Sequence, residues 1–197
     1  GKTESGTIWL DPKKTSPYAF YQFWMNSSDA DVYRFLRYFT FLSLEQIGEI
    51  ERADASSGAK PAAQGILARE VTKLVHGSQG LDSAIRISEA LFSGSHTGLS
   101  ENDFGQLKQD GLPSTRLSSS DLAKPVTTIL VEAGMAATGK QVKDALSRAA
   151  VTINGRACTL DDNNKAQECF AVGRAVFGRY HLARVGKKSF HLFETAV

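Results

Sequence analysis

The sequence predicts an α+β protein: an all-α helical bundle over residues 16–109, then a small α+β module over residues 121–197. Three observations predict it. Apolar residues recur at helical spacing through the first part. A stretch rich in Gly, Pro and Ser interrupts that spacing at 110–120. Beyond it, two helical stretches give way to short strands and an Asn-Gly turn.

The bundle opens at Ser16, a side-chain cap, followed by Pro17, whose fixed φ suits the first helical position. Phe20, Tyr21, Phe23 and Trp24 crowd this first helix. A second helix is predicted from Ser28 or Asp29. Its Val32, Phe35, Leu36 and Phe39 share one face, and Asp31, Arg34 and Arg37 point elsewhere. Ser43 and Gln46 have capping-box spacing for a third helix. A loop at Ser56-Ser57-Gly58 precedes a helix from about Pro61 to His76, with Leu67, Val71, Leu74 and Val75 inward and Gly77 as its stop. The next helix turns Leu81, Ala84, Ile85, Ser88, Leu91 and Phe92 inward and ends near Gly94. Ser100 caps a short one through Leu107.

Between Asp110 and Asp121, Gly111, Pro113 and Ser118-Ser119-Ser120 predict a flexible linker. The module then begins with a helix from about Leu122 to Ala133. After Gly134 a second helix starts near Gly139. It buries Val142, Ala145, Leu146 and Ala149, and turns Lys140, Lys143 and Arg148 to solvent. Val151-Thr152-Ile153 reads as a strand and Asn154-Gly155 as a hairpin turn. Phe177 to Val185 and Ser189 to Phe193 read as two further strands joined across Gly186-Lys187-Lys188.

Composition narrows the function classes. A hydrophobic content of 42% over 197 residues is that of a globular protein. No apolar run approaches the roughly eighteen residues of a membrane span. Nothing reads as a secretory leader. A cytoplasmic protein without membrane partners is the expectation. Cys158 and Cys169 do not combine with His181 and His191 in a zinc pattern, so two free thiols in a reducing compartment are expected, and no metal. Charge is uneven. Residues 1–111 carry eleven Lys/Arg against fourteen Asp/Glu, whereas residues 112–197 carry twelve against seven. A basic C-terminal module on a mildly acidic body suits a polyanion, although a solvated surface has the same composition.

A resemblance sharpens this. Gly1-Lys2-Thr3-Glu4-Ser5-Gly6, continuing through Thr7-Ile8-Trp9-Leu10-Asp11 and Thr15-Ser16-Pro17-Tyr18, is similar to bacterial tyrosyl-tRNA synthetases just after their catalytic domain. The ATP loop of that class I family reads K-F-G-K-[ST], a variant of K-M-S-K-S. Gly1, Lys2 and Thr3 match its last three positions. The resemblance implies that residues 1–15 are the end of this loop and a connector. It also implies a catalytic half upstream, with an H-I-G-H-type motif. Lys2 would neutralise charge on the phosphates of ATP, used with Mg2+ by the parent tyrosine–tRNA ligase. The piece itself would need no cofactor and would be inactive alone. The parent would dimerise through the catalytic half, leaving this piece monomeric.

By the same resemblance the bundle binds the anticodon arm. Ser16 to Asn26, Asp29-Ala30-Asp31-Val32, Phe39 to Leu42, Val75-His76-Gly77 and Ile85 to Gly94 carry the match. A carboxylate at Asp29 can accept two hydrogen bonds from a guanine edge, and guanine is the first anticodon base of tyrosine tRNA. Capping the second helix is the other role open to Asp29. Asp31 and Arg34 lie beside it as further candidates. The module resembles the RNA-binding domain first known from a small-subunit ribosomal protein, through Ala133-Gly134-Met135, Gly139 to Ala145 and Ala150 to Gly155. Where that family has S-[RK]-x-x-A-R, this chain has Thr138, Gly139, Val142 and Lys143. Phe177 to Phe190 is similar to the family's terminal hairpin. Lys140, Lys143, Arg148, Arg179, Arg184, Lys187 and Lys188 are the expected RNA contacts, toward the long variable arm. Tyr180, His181 or Phe190 either stacks on a base or packs the core. An autonomous RNA-binding module without an aminoacylation role is the alternative reading. An RNA-modifying enzyme is disfavoured, because such enzymes carry this domain at the N-terminus.

Overall fold

The computed structural model describes residues 7–58 and 61–195. It divides the chain into two units, residues 1–86 and 87–197. The sequence-based division lay later, at 110–120.

Local chemistry starts each helix of the first unit. In α1 (Pro17–Met25), the Ala19 amide donates to Ser16 Oγ at 3.1 Å. Helix α2 runs over Val32–Phe39. Helix α3 (Leu44–Ser57) has both bonds of its capping box, Gln46 N–H to Ser43 Oγ at 3.1 Å and Ser43 N–H to Gln46 Oε1 at 2.8 Å. Gly58 ends α3 in the left-handed region (φ 60°). Helix α4 spans Ala63–Ser93 and is broken at Gly77 (φ 70°, ψ −179°), as the sequence predicts for that glycine. Its first turn is capped from a distance: the Asp54 carboxylate accepts from the amides of Ala62 (2.7 Å) and Ala63 (3.2 Å) and from the Tyr33 hydroxyl (3.0 Å).

Phe20, Val32, Leu36, Ile47, Ala63, Leu67 and Val71 form the core of this unit. The expected inward stripe fails at two positions. Leu74 is 56% exposed and Phe92 is 96% exposed, whereas Ile87 and Ala90 are buried. Leu74 lies before the break at Gly77 and Phe92 just before the end of α4, so each falls off the face that its own part of the helix buries.

The second unit is built on a five-stranded sheet of order β1-β5-β4-β2-β3. It begins with the last turns of α4 and a short α5 (Glu101–Gln106), capped by Ser100 and Asp103. A π-helical turn, Leu107–Gly111, follows. The segment expected as a flexible linker is instead ordered. Strand β1 (Ser114–Leu117) pairs in parallel with β5 (Ser189–Thr195), Ser114 opposite Leu192. The Ser118 run caps a helical turn, α6 (Ser119–Leu122), through a reciprocal box with Asp121. Serine favours caps as much as linkers, and here a partner strand and Asp121 decide. Pro125, which cannot continue a helix, splits the expected 122–133 helix into α6 and α7 (Val126–Glu132).

Thr138 caps α8 (Gly139–Ser147), its Oγ1 accepting from the Gln141 amide at 3.3 Å. The helix stops before Ala149, which takes φ 50° and is exposed rather than buried. Strands β2 (Val151–Ile153) and β3 (Arg156–Cys158) flank the predicted turn, where Asn154 (φ 49°) and Gly155 (φ 76°) both take positive φ. A short helix α9 (Ala166–Cys169) precedes β4 (Tyr180–Val185). The expected start of β4 at Phe177 is displaced, because Phe177 and Gly178 turn left-handed first (φ 51° and 71°).

Strand alternation gives the sheet two buried faces. His181, Ala183, His191 and Phe193 point to α7 and α8, where Val126, Ile129, Leu130, Val142 and Leu146 complete a core. Tyr180, Leu182 and Leu192 point to the opposite face, where Phe104 of α5 stacks on Tyr180 at 5.2 Å and 12°.

His181 is fully buried, edge-on to Phe170 at 5.5 Å, with Nε2 3.3 Å from Thr195 Oγ1. Burial pushes its pKa down to about 4. An unfolded histidine titrates near about 6.5. Between those values the unfolded chain binds a proton that the folded chain does not. Stability should therefore fall as pH drops from about 6.5 to about 4, then level off for this group. His181→Gln is expected to flatten the urea midpoint across that window. A profile that keeps its slope would assign the acid loss to other groups.

Candidate RNA-binding surfaces

Asp29 does not cap α2. The helix starts later, with Asp31 in the cap position making no cap hydrogen bond. Instead Asp29 Oδ1 accepts from Gln64 Nε2 of α4 at 2.6 Å. Gln64 is itself buried, while Asp29 stays exposed. A carboxylate held from below by a buried amide is oriented without being covered. No local spacing signals this pair, which is 35 positions apart.

Asp31 is taken up by its own neighbours. Ser28 Oγ donates to its Oδ2 at 2.8 Å, and Arg34 Nη2 reaches Oδ1 at 2.6 Å. Arg34 also lies over the Phe35 ring at 5.7 Å. An exposed i,i+3 pair of this kind is weak, so a phosphate can compete for Arg34. Asp29, Asp31 and Arg34 are thus close in sequence around the start of α2, Asp29 and Arg34 exposed and Asp31 half-buried. An apolar groove of about 570 Å³ also opens in this unit, between Ile8, Phe23, Trp24, Phe39, Phe41 and Leu74. Phe41 is 90% exposed there. The aromatic residues of α1 and of the end of α2 therefore line a surface trough.

The seven cations expected in the module fall into two groups. Lys140 and Lys143 stand exposed on α8, and Lys187 and Lys188 stand exposed in the β4–β5 turn. Among the described residues these four make no ion pair. Arg148 is exposed at the end of α8, with Nε donating to the Asp144 carbonyl at 3.1 Å.

The other two cations are engaged within the unit. Arg179 pairs with Glu101 at 2.8 Å and lies over Tyr180 at 4.7 Å. Arg184 points from the sheet onto Gly94, where a Cβ would fall 1.8 Å from its Nη1. Gly94 also needs its left-handed φ of 75° to end α4. Of the candidate stacking residues, Tyr180 and His181 are buried and pack the core. Phe190 is half-buried opposite Arg184. Lys2 lies outside the described residues.

Residues 1–93 match the family described as tRNA synthetases class I (W and Y). Residues 103–193 match the family described as Tyrosine--tRNA ligase SYY-like C-terminal domain. The tyrosine–tRNA ligase of Aliivibrio fischeri (strain MJ11) is 49% identical over 196 residues, covering 98% of this chain and 44% of its own length. That of Dechloromonas aromatica (strain RCB) is 50% identical over 195 residues, with the same two shares of 98% and 44%. Among solved structures, a C-terminally truncated Aspergillus nidulans mitochondrial tyrosyl-tRNA synthetase is 36% identical. It covers 46% of this chain and 25% of its own, with a TM-score of 0.42. The chain spans less than half the length of the curated relatives it matches. With one model covering its first half and the other its second, the chain belongs to the tyrosine–tRNA ligase family and carries that family's C-terminal domain.

Proposed function

We propose that this chain is the tRNA-binding part of a cytoplasmic tyrosine–tRNA ligase. Residues 16–86 meet the anticodon arm through Asp29, with Arg34 on the neighbouring phosphates. The C-terminal domain meets the long variable arm through Lys140, Lys143, Lys187 and Lys188, with Arg148 at the end of the same helix. One observation carries this reading: in a domain of the ligase family, four exposed lysines are left without a carboxylate partner among the described residues. Phosphate oxygens are the natural counter-charge for such groups. The whole enzyme would join tyrosine to its tRNA using ATP with Mg2+, with Lys2 at the ATP phosphates, and would dimerise through its catalytic half. No described helix is long and apolar enough to cross a membrane.

The lysines supply the test. Lys187→Glu with Lys188→Glu should weaken tRNA binding without changing which tRNA is preferred, since phosphate contacts carry no base code. Each lost contact should lower the slope of log affinity against log salt by about 0.7 to 0.9. Lys140→Glu with Lys143→Glu should do the same. Circular dichroism checks that both variants are folded. Unchanged slopes in both would remove these lysines from the RNA surface.

Asp29→Ala should weaken discrimination for guanine at the first anticodon position by about 1–3 kcal/mol, the range of a good bidentate base contact. Gln64→Ala should lose part of that, because it frees the carboxylate without removing it. Binding assays on tRNAs altered at that base read both effects. Full discrimination by Asp29→Ala would exclude Asp29 as the reader.

A further inference from the structure

A second cationic feature of the C-terminal domain is a cavity rather than a surface. It has a volume of about 290 Å³, lies beside the β2–β3 turn, and takes its polar lining from Asn154, Arg156, Asp162 and Arg174. Ile153, Cys158 and Cys169 complete the lining; all three are buried members of the core and give the cavity an apolar floor. Arg156 opens β3 and Arg174 closes the 3-10 turn Val172–Arg174, and both residues are exposed. Among the described residues neither guanidinium has a hydrogen bond or an ion pair.

The other polar groups of the cavity are largely committed. Asn154 gives its side chain to the Arg174 and Tyr180 carbonyls and the Leu182 amide. The thiols of Cys158 and Cys169, both free, donate to the Arg156 and Asp162 carbonyls at 4.0 Å each. Asp162 Oδ2 accepts from the amide and the hydroxyl of Thr159 at 2.8 and 3.1 Å. That leaves Asp162 Oδ1 and the two guanidiniums to meet a ligand.

We propose that this cavity holds one unpaired nucleotide of RNA, its phosphate on Arg156 and Arg174 and its base over the apolar floor toward Asp162. The inference rests on the RNA-binding reading above and adds a site that the lysines do not supply. Two unneutralised guanidiniums call for an anion, and the planar fork of arginine suits phosphate. A bare phosphate would meet the Asp162 carboxylate in the same cavity, whereas an N–H donor would be held by it. The floor calls for an apolar face. A nucleotide carries all three chemistries, and its Watson–Crick edge is free to donate only when the base is unpaired. The volume lies at the low end for ligand cavities, about 300 Å³, which suits one nucleotide and not a duplex. Phosphate contacts position RNA and base contacts specify it, so this cavity would add base dependence to the lysines' grip.

The experiment uses the folded 197-residue chain and an in vitro transcript of tyrosine tRNA. Ultraviolet cross-linking of the wild-type complex should place a nucleotide adduct on a peptide within residues 153–174. Footprinting with reagents that modify the Watson–Crick edge should show one unpaired nucleotide protected. Arg156→Gln with Arg174→Gln should lose that protection at saturating protein and weaken binding about tenfold, the factor for one charge-assisted contact. Both side chains are exposed, so the urea midpoint should not move. A double variant that keeps the protection would overturn the proposal while leaving the lysine surface standing. No binding of the transcript by the wild-type chain would overturn the RNA-binding reading, and this proposal with it. Adenosine or uridine monophosphate shifting the amide resonances of residues 153–174 where the transcript does not would assign the cavity to a free nucleotide instead. The cross-link stands as a test even if the double variant fails to fold, and adducts confined to other peptides would overturn the site.

Discussion

Phe104→Ala is expected to destabilise the second unit by about 3–5 kcal/mol, the range for emptying a buried aromatic site. Phe104 is fully buried on α5, a short helix that has no other large buried apolar side chain. Its ring stacks on Tyr180 and meets Phe177 edge-on at 5.9 Å. The contact therefore seats a helix too short to persist by itself onto one face of the sheet. Such a loss is a large share of the roughly 5–15 kcal/mol that holds a domain folded. Hydrogen exchange of the β4 and β5 amides should accelerate steeply, and the urea midpoint should fall. Phe104→Leu keeps most of the volume and should cost no more than about 2 kcal/mol. Equal effects from Ala and Leu would mean that the ring's stacking, rather than its bulk, holds the helix.

Asn154→Ala should cost about 2.5–5.5 kcal/mol. The Asn154 side chain closes three separate backbone gaps. Nδ2 donates to the carbonyls of Arg174 (2.9 Å) and Tyr180 (3.2 Å), and Oδ1 accepts from the Leu182 amide at 2.7 Å. Each bond contributes about 0.5–1.5 kcal/mol net, and alanine must also take the left-handed φ, at about 1 kcal/mol. Asn154→Gly removes the side chain while tolerating the backbone, so it should recover about 1 kcal/mol of the loss. Asn154→Asp keeps the acceptor but faces two carbonyls with a carboxylate, and should be as damaging as Ala. Thermal or urea unfolding distinguishes the series. A Gly variant as stable as the parent would reduce Asn154 to a turn former.

That last contrast marks what was legible in the sequence. Asn154-Gly155 announced a turn, and it is one. Ser16, the Ser43–Gln46 box, Ser100 and Gly77 likewise announced helix ends, because capping depends on neighbours within four residues. What Asn154 holds together at positions 174, 180 and 182 is set by tertiary approach and has no local sign. The same is true of the site. Lys140, Lys143, Lys187 and Lys188 read as solvent-facing and are. Arg179 and Arg184 looked equivalent to them, yet Glu101 and Gly94 engage those two from 78 and 90 positions away. Strand β1 was missed for a related reason. Four residues with three exposed carry no alternation signal, and only β5 makes them a strand.

The pairing of β1 with β5 has a bearing on synthesis. Ser114 meets Leu192, 78 positions on. The strand made last, β5, lies inside the sheet between β1 and β4. On a ribosome, β1 would emerge with no partner strand and β4 with one edge unpaired, and both would wait for residues 189–195 to clear the exit tunnel. The helices of the first unit, whose core joins positions 20 to 71, are complete well before that wait begins. Folding should therefore be vectorial, with the helical part settled while the sheet is still open. During that interval the chain is most exposed to mispairing with another nascent copy, which gives a chaperone its natural point of entry.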